Sequence, residues 1–428
     1  MMKKEVSIFW FRRDLRLKDN CALFHALNSD FPVLPVFIFD AAILDELKND
    51  DPRVQFIHQT LEKINVELQK SGASLLIKKG NTATVWQQLL EDFDVKNVFF
   101  NNDYEPYATK RDTEITNLCK EKGVQVFTYK DQVIFEKNEI TKQDGSPYTV
   151  FTPYKNKWLL NYHNSNIQQF PSEKLTENFL KEIVEFPSLK EIGFNANEIQ
   201  VLPINTTCID KYDLNRDKPS KATSNLSVHL RFGLVSIRKL VAHAVKTNAT
   251  FTSELIWREF FMQILWHFPK VVNANFKPKY DFIKWRNNET EFKLWCEGKT
   301  GYPIVDAGMR QLNKTGYMHN RVRMIVASFL NKHLLIDWRW GEAYFAEKLL
   351  DYELSANNGN WQWVAGTGCD SAPYFRVFNP EAQQIKFDPH FEYIKKWHPN
   401  YKNIPEMVAH KFARDRYLAV VKEALMQQ

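Results

Sequence analysis

The stretch VSIFWF, residues 6–11, is a short apolar run that charged residues follow at once. Similar runs recur along the N-terminal part of the chain, at residues 33–39, 73–79, 95–100 and 124–129. Helix-like segments such as 54–70 and 84–93 lie between these runs. Short apolar runs that alternate with helices are typical of parallel strands joined by helical crossovers. We therefore predict an α/β domain with a Rossmann-like parallel sheet over residues 1–130.

The apolar pattern becomes helical after about residue 203. Apolar residues recur about every 3.6 positions in several later segments, at residues 235–245, 255–268, 306–314, 321–333 and 342–350. Residues 131–200 are mixed in pattern, with several prolines and many Asn, Ser and Lys, which is typical of a connector on the surface. We expect an interdomain connector at residues 131–200 and an all-α domain at residues 201–428.

The composition argues against several classes of protein. The 428-residue chain has neither the long apolar run of a membrane span nor the pattern of a secretory signal. Its five cysteines lie far apart, without a CxxC pair or ligand spacing to histidine. We therefore expect a cytoplasmic protein with no disulfide framework and no metal site. The usual glycine-rich phosphate-binding loops do not follow any predicted strand.

The excess of basic residues and most of the tryptophans lie in the second part of the chain. Residues 1–200 carry 25 Lys and Arg against 29 Asp and Glu, out of totals of 57 and 51, which leaves 32 against 22 for the remainder. Nine of the twelve tryptophans lie between residues 257 and 397. This combination is consistent with a polyanion-binding surface, base stacking or electron transfer. It is also consistent with a solvated basic face over a tryptophan-rich core.

Two helical segments place polar and aromatic side chains on one face. In ELIWREFF, residues 254–261, Glu254, Trp257 and Arg258 have i, i+3, i+4 spacing, which suits a polar heterocycle or a simple Glu–Arg pair beside a core tryptophan. In YMHNRVRM, residues 317–324, the same spacing relates Asn320, Arg323 and Met324. These residue types can bind a ring edge, an anion and an aromatic face.

Two further segments carry functional residue types. Thr223, Ser224 and Ser227 cluster where a helix is expected to begin, which suits helix capping or an anion such as phosphate. The segment ANNGNWQW, residues 356–363, holds two tryptophans two positions apart. Two residues of helix turn the chain by about 200°, so these rings are expected to face different surroundings.

Taken in order, FWFRRDLRLKDN, TSNLS, ELIWREF, TGYPIVDAGMRQL, YMHNRVRM and ANNGNWQW with DSAPYFRVFNP resemble the cryptochrome/photolyase family. The closest resemblance is to class I cyclobutane pyrimidine dimer photolyases, over nearly the whole chain. It implies an antenna domain, a helical FAD-binding domain and a carbon–carbon lyase that splits thymine dimers in DNA with light. It also implies a monomer that binds UV-damaged DNA, single or double stranded, and that is associated with the nucleoid when bound.

The resemblance also implies roles for individual residues. Those expected in the FAD pocket are Tyr212, Thr223, Ser224, Asn225, Leu226, Ser227, Arg258, Asn320, Arg323, Asp351, Glu353 and Asn357. Those expected to bind the dimer are Glu254, Trp257, Asn320, Met324 and Trp363, and the expected electron-transfer chain is Trp361, Trp338 and Trp285. Arg323 is expected to pair with Asp351, and Glu254 to bond the dimer, most simply as a neutral carboxyl.

Two positions depart from the family pattern. Glu353 stands where many relatives carry Asp, and DYEPYATKRD, residues 103–112, lacks the Asn-Glu pair of folate-binding relatives. The second, antenna chromophore therefore stays open between folate, a deazaflavin, another flavin and none. Alternative functions are a cryptochrome-like photoreceptor, a (6-4) photolyase, or a flavoprotein oxidoreductase that works in the dark.

Overall fold

The computed structural model describes residues 3–426. The chain divides into two compact units. The first unit comprises residues 1–139, 159–202 and 226–243, and the second comprises residues 140–158, 203–225 and 244–428. Most of the segment expected to be a connector therefore belongs to the first unit, and the domain limits at residues 130 and 200 stay predictions.

A five-stranded parallel sheet forms the centre of the first unit. Its strands are β1 (Glu5–Phe11), β2 (Val33–Asp40), β3 (Leu76–Gly80), β4 (Asp94–Asn101) and β5 (Gln125–Tyr129). The spatial order is β3-β2-β1-β4-β5, and Ile8 of β1 pairs with Leu34 and Val98 on either side. Strand β2 is buried throughout, as expected for a parallel strand covered on both faces. The predicted α/β fold is confirmed.

Helices connect these strands. They are α1 (Cys21–Leu27), α2 (Ala41–Leu44), α3 (Pro52–Gln69), α4 (Thr82–Asp92) and α5 (Pro106–Glu121). The side chains of Asn20, Asp51 and Asn81 accept hydrogen bonds from backbone N–H groups in the first turns of α1, α3 and α4. Such caps satisfy N–H groups that have no partner within the helix, so these residues determine where the helices begin.

Apart from isolated β-bridges at Thr141, Pro147 and Phe179, the described residues after β5 are helical or irregular, as expected for the second domain. The helices are α6 (Phe151–Asn164), α7 (Tyr212–Asn215), α8 (Leu226–Arg231), α9 (Ile237–Thr247), α10 (Ala249–His267), α11 (Glu289–Cys296), α12 (Pro303–Thr315), α13 (Asn320–Ser328), α14 (Trp338–Lys348), α15 (Leu354–Ala365), α16 (Pro380–Phe387), α17 (Glu392–Trp397) and α18 (His410–Met426). Short 3₁₀ turns lie at Ser172–Lys174, Thr176–Asn178, Thr206–Cys208, Pro269–Val272 and Pro278–Tyr280.

The single helix expected over residues 321–333 is interrupted. Helix α13 ends at Ser328, and a π-helical segment, Phe329–His333, follows it. Within this segment the Lys332 side chain is buried, and its Nζ donates to the carbonyl oxygen of Arg376 at 2.9 Å. This contact joins residues that are distant in sequence, so the apolar periodicity of the sequence does not predict it.

Helices α14 and α15 pack closely through a glycine. A Cβ atom on Gly341 would lie 2.1 Å from Cη2 of Trp361, well inside van der Waals contact. Trp361 belongs to the main hydrophobic core of the second unit, where its ring lies 5.0 Å from that of Phe345. The absence of a side chain at residue 341 therefore leaves space for this ring.

Candidate functional site

A cavity lies in the second unit, where α13, α14 and α15 approach one another. The predicted site residues that line it are Asn320, Arg323, Met324, Asp351, Glu353, Asn357 and Trp361. Its other lining residues are Ala327, Phe345, Leu349, Tyr352, Ala356, Asn360 and Val364. Charged groups, amides and apolar side chains thus share one wall. Such a lining suits a flat heterocycle with a polar edge.

The ion pair expected between Arg323 and Asp351 is present. Arg323 Nη2 donates to both Asp351 carboxylate oxygens, at 2.9 and 3.1 Å, and its Nε donates to the carbonyl oxygen of Met318 at 2.8 Å. The guanidinium is therefore held from two directions. This partly buried pair, in which one guanidinium nitrogen contacts both carboxylate oxygens, offers a fixed charge pattern to a ligand in the cavity.

Asn357 is held in place by Glu342, a residue that the sequence analysis did not identify. Asn357 Nδ2 donates to the Glu342 carbonyl oxygen at 3.1 Å and to Glu342 Oε1 at 2.9 Å. Burial raises the pKa of Glu342, and the bond from Asn357 partly opposes this effect. Because the amide nitrogen is engaged with Glu342, the orientation of the Asn357 side chain in the cavity wall is determined.

Helix α10 presents two charged residues that make long-range pairs. Arg258 Nη2 donates to Glu353 Oε1 at 3.2 Å, and Glu254 Oε1 lies 2.8 Å from Arg216 Nη1. Burial raises the pKa of Glu254, whereas Arg216 lowers it. Arg216 also escaped the sequence analysis, because nothing in its local pattern indicates a partner 38 residues away.

Trp257 lies on the same helix and is half-buried. Its ring stacks on that of Phe151, with centroids 3.7 Å apart and planes inclined by 9°. Neither Trp257 nor Glu254 lines the cavity described above. The predicted dimer-binding residues are therefore divided, with Asn320 and Met324 at the cavity and Glu254 and Trp257 outside its lining.

The four predicted functional tryptophans have different environments. Trp361 and Trp338 are buried, at 2% and 1% exposure, whereas Trp285 and Trp363 are half-buried. Trp361 lines the cavity, and Trp363 does not. Trp285 lies on a separate polar recess of the second unit. The two tryptophans of α15 thus differ in burial and in access to the cavity, although Trp363 also packs against the core cluster that contains Trp361.

The remaining predicted cofactor residues lie outside the cavity lining. Tyr212 packs edge-on against Phe251 with ring centroids 5.2 Å apart, and burial raises its pKa. Thr223 Oγ1 donates to Asn225 Oδ1 at 3.1 Å, and Asn225 has a left-handed backbone with φ of 55°. Ser224 accepts a backbone bond from Asn205. Leu226 and Ser227 begin α8 in the first unit, and their binding role stays a prediction.

The residues around the cavity fit the isoalloxazine part of a flavin. Amide, guanidinium and carboxylate groups lie beside apolar and aromatic side chains, as a planar ring with polar edges requires. In residues 3–426, no group of three or more His, Cys, Asp or Glu side chains could hold a metal ion. The same residues contain no helix of the length and hydropathy that a membrane crossing needs.

Two family models and several characterised proteins are similar to this chain. Residues 7–174 match the family model described as DNA photolyase, and residues 251–424 match the one described as the FAD binding domain of DNA photolyase. A deoxyribodipyrimidine photo-lyase from Halobacterium salinarum is 37% identical, with 95% of this chain and 92% of that protein aligned. Its counterpart from Escherichia coli is 35% identical, with 94% and 91% aligned.

Solved structures show the same similarity. A class III photolyase from Agrobacterium tumefaciens superposes with a TM-score of 0.87 and 32% identity, covering 100% of this chain and 99% of that one. An archaeal photolyase from Sulfolobus tokodaii, solved with two FAD molecules, has a TM-score of 0.85 and 33% identity, with 98% and 100% covered. The chain therefore belongs to the DNA photolyase family, and its enzyme class is that of the deoxyribodipyrimidine photo-lyases. It has that family's FAD-binding domain.

Proposed function

We propose that this photolyase binds a cyclobutane pyrimidine dimer in UV-damaged DNA, flips it out of the helix and splits it by electron transfer from FAD. The observation that carries the proposal is the cavity in which Arg323, Asp351, Asn357 and Trp361 converge. FAD, when bound there, supplies the light-driven one-electron chemistry. The assignment to class I rather than another photolyase class belongs to this proposal.

The protein's part is to orient the flavin and to keep charge in place. The Arg323–Asp351 pair and the Glu342-held Asn357 form the polar side of the proposed flavin site. Arg258 and Glu353 extend this polar side, and Thr223, Ser224 and Ser227 are proposed to bind the phosphates, as the resemblance implies. Glu353 pairs with Arg258 despite being longer than the Asp of many relatives, which supports its place in the site.

The dimer is proposed to contact Glu254, Trp257, Asn320, Met324 and Trp363. Photolyases are among the enzymes that flip their target out of the stack, which costs a few kcal/mol and least for a damaged base. Stacking on an aromatic ring returns about 1–3 kcal/mol per base. Trp257, already flat against Phe151, provides a rigid stacking surface. Two tryptophan contacts would therefore offset most of the cost of flipping.

Glu254 is proposed to hydrogen-bond the dimer and to stabilise the charge that the lesion receives. Its ion pair with Arg216, at 2.8 Å, must then open or rearrange when the lesion binds. Burial already raises the pKa of Glu254, and loss of the Arg216 partner would remove the main opposing influence. The carboxyl would then be neutral and able to donate a hydrogen bond to the base.

A repair assay tests the function directly. The reduced holoenzyme is mixed with UV-irradiated oligo(dT), illuminated with blue light, and followed by recovery of thymine absorbance. We expect light-dependent recovery, with a much lower yield per photon for Glu254→Ala and a partial return for Glu254→Gln, which keeps a hydrogen-bond donor. Ser253→Ala, on the neighbouring position of α10, is the matched control.

The outcomes separate the alternatives. Repair confined to (6-4) lesions would identify a (6-4) photolyase. Absorption of light by the flavin without any repair would favour a cryptochrome-like photoreceptor. Flavin turnover with soluble partners in the dark, without recovery, would identify an oxidoreductase. Equal repair by Glu254→Ala and wild type under single-turnover light would remove Glu254 from the mechanism.

A second chromophore and the physical state of the enzyme complete the proposal. The Sulfolobus tokodaii photolyase holds two FAD molecules, so we propose a flavin, a deazaflavin or a folate as antenna in this chain too. Release of the bound chromophores by heat, followed by separation and absorption spectra, would identify it.

We also propose a cytoplasmic monomer that acts on single- and double-stranded DNA and is associated with the nucleoid when bound.

A further inference from the structure

The indole N–H of Trp338 is bonded to a buried amide. Trp338 Nε1 donates to Asn275 Oδ1 at 2.8 Å, and Asn275 Nδ2 donates to Asp281 Oδ1 at 2.6 Å. Trp338 and Asn275 are 1% and 2% exposed. Because an ionised carboxylate only accepts hydrogen bonds, Asp281 fixes the amide nitrogen on its own side and the amide oxygen toward Trp338.

We infer that Asn275 keeps the indole proton on Trp338 when this ring is oxidised, so that the positive charge passes outward to Trp285. The inference rests on the electron-transfer chain of Trp361, Trp338 and Trp285 that the family resemblance implies. An oxidised indole is a strong N–H acid, and it loses its proton only to a base within hydrogen-bond reach. A carboxamide oxygen accepts a hydrogen bond but does not take up a proton near neutral pH.

Trp285 has the opposite environment. It is half-buried and lines a polar recess together with Asn275, Asp281, Asp337 and Arg339. Asp281 and Asn273 on the wall of this recess are exposed to solvent. Water and carboxylates can therefore accept a proton from Trp285. The oxidised state is expected to become a neutral radical at Trp285 and not at Trp338.

Arg339 adds an electrostatic reason for this direction. Its guanidinium carbon lies 4.8 Å from the centroid of the Trp338 ring, and its Nη1 donates to Asp337 Oδ2 at 2.9 Å. A positive charge beside a buried ring disfavours a second positive charge on that ring. With the proton retained on Trp338, transfer of the charge to Trp285 relieves this repulsion.

The steps balance as follows. One electron leaves Trp361 for the light-excited, oxidised flavin, which is the oxidant; Trp338 replaces the electron on Trp361, and Trp285 replaces it on Trp338. The N–H bond of Trp285 then breaks, its proton goes to water in the recess, and the unpaired electron stays on the ring. A soluble thiol later supplies one electron and one proton, which restores the N–H bond of Trp285; the thiol becomes a thiyl radical, and two such radicals combine to form a disulfide.

Flash absorption spectroscopy on the oxidised holoenzyme tests the inference, because protonated and neutral tryptophan radicals differ in spectrum. Asn275→Asp is made together with Asp281→Asn, because two carboxyl groups 2.6 Å apart would share a proton. An ionised carboxylate then faces the Trp338 N–H as a proton acceptor, and the amide at residue 281 can donate to it. We expect a neutral radical to form at Trp338 and the long-lived radical at Trp285 to decrease severalfold. Asn273→Gln keeps an amide on the exposed wall of the recess, adds no proton acceptor there and is not bonded to Trp338, so it should leave the wild-type spectrum unchanged.

A second variant covers the case in which the double variant, Asn275→Asp with Asp281→Asn, does not fold. In Trp285→Phe the oxidised state should stay on Trp338 as the protonated radical and disappear only by return of the electron, with no solvent deuterium isotope effect. Formation of a neutral radical in Trp285→Phe, or identical spectra for the double variant and wild type, would overturn the role of Asn275. Absence of any tryptophan radical in wild type would instead overturn the proposed electron-transfer chain.

Discussion

Trp361 and Trp363 lie two positions apart on α15 and differ in burial and in access to the cavity. Trp361 is buried in the core of the second unit and lines the cavity, whereas Trp363 is half-buried and lies outside the cavity lining. Two positions along α15 change the surroundings of the ring because the helix turns by about 200° over that distance. The two side chains can therefore be tested separately.

We expect Trp361→Phe to abolish photoreduction of oxidised FAD and to leave repair by already reduced enzyme close to wild type. Phenylalanine fills most of the same space but is much harder to oxidise than tryptophan. Trp363→Ala should weaken binding to damaged DNA by about 1–3 kcal/mol, the worth of one stacked base, and leave photoreduction intact. Flavin absorbance under illumination and a DNA titration measure the two effects.

Trp340→Phe is the matched control for both variants, since Trp340 is half-buried against the same core cluster but has no proposed functional role. If Trp361→Phe and Trp363→Ala impaired the same function, the division of roles along α15 would be wrong.

Some site residues could be predicted from sequence motifs, whereas others are recognised only by their long-range contacts. Arg323, Asp351 and Asn357 could be predicted because their motifs resemble a known family. Glu342, Arg216 and Asn275 could not be predicted, because they contact Asn357, Glu254 and Trp338 through bonds that span 15, 38 and 63 positions. Such bonds leave no local periodicity, so only the folded structure shows them.

At the scale of the element, the start of α13 depends on a titratable cap. His319 is the N-cap, and its Nδ1 accepts a hydrogen bond from the backbone N–H of Arg321 at 3.1 Å. Burial, and then the charges of Arg321 and Arg323, lower the pKa of His319 to about 4. A protonated imidazole cannot accept this bond.

The folded protein is therefore expected to lose stability as the pH falls. A histidine whose folded pKa is lowered contributes stability that is fully present above its unfolded pKa, about 6.5, and is lost as the pH falls through the folded value of about 4. Between pH 7.5 and 5 this loss should be about 1–2 kcal/mol in the free energy of unfolding. Urea unfolding at the two pH values measures it.

His319→Asn keeps an N-cap acceptor that does not titrate in this range. The difference in stability between pH 7.5 and 5 should shrink in this variant relative to wild type. An unchanged difference would show that other groups cause the pH dependence.

The packing of α14 against α15 gives a second prediction for an element. Alanine is favoured over glycine within a helix by about 1 kcal/mol, yet a Cβ at Gly341 would lie 2.1 Å from Trp361. Overpacking typically costs about 1–3 kcal/mol, so we expect Gly341→Ala to destabilise the protein and to shift the tryptophan fluorescence. Thermal unfolding and emission spectra measure these effects.

Ala343→Gly, at an exposed position of the same helix, tests helix propensity alone. It should lower stability by about 1 kcal/mol without a change in the fluorescence of Trp361. A Gly341→Ala protein more stable than wild type would show that α14 and α15 can move apart at little cost.

At the scale of the whole molecule, the chain combines an acidic and a basic half. Residues 1–200 carry 25 basic and 29 acidic side chains, whereas the whole chain carries 57 and 51. The sequence reveals this asymmetry directly, as it does the order of strands and helices, because both depend on residue type along the chain. Which basic residues contact phosphates depends on surface geometry, which charge counts do not contain.

We expect affinity for DNA to fall linearly with salt on logarithmic axes, by about 0.9 per phosphate contacted. Damaged and undamaged DNA should give parallel lines, because phosphate contacts add affinity but little information about the bases. Trp257→Ala should lower the affinity for damaged DNA equally at every salt concentration, without changing the slope, since stacking releases no counterions. Lys63→Ala, on the exposed face of α3 in the acidic half, should change neither line. A flat salt response would refute the basic binding surface, and a changed slope in Trp257→Ala would mean that this ring positions phosphate contacts as well as the lesion.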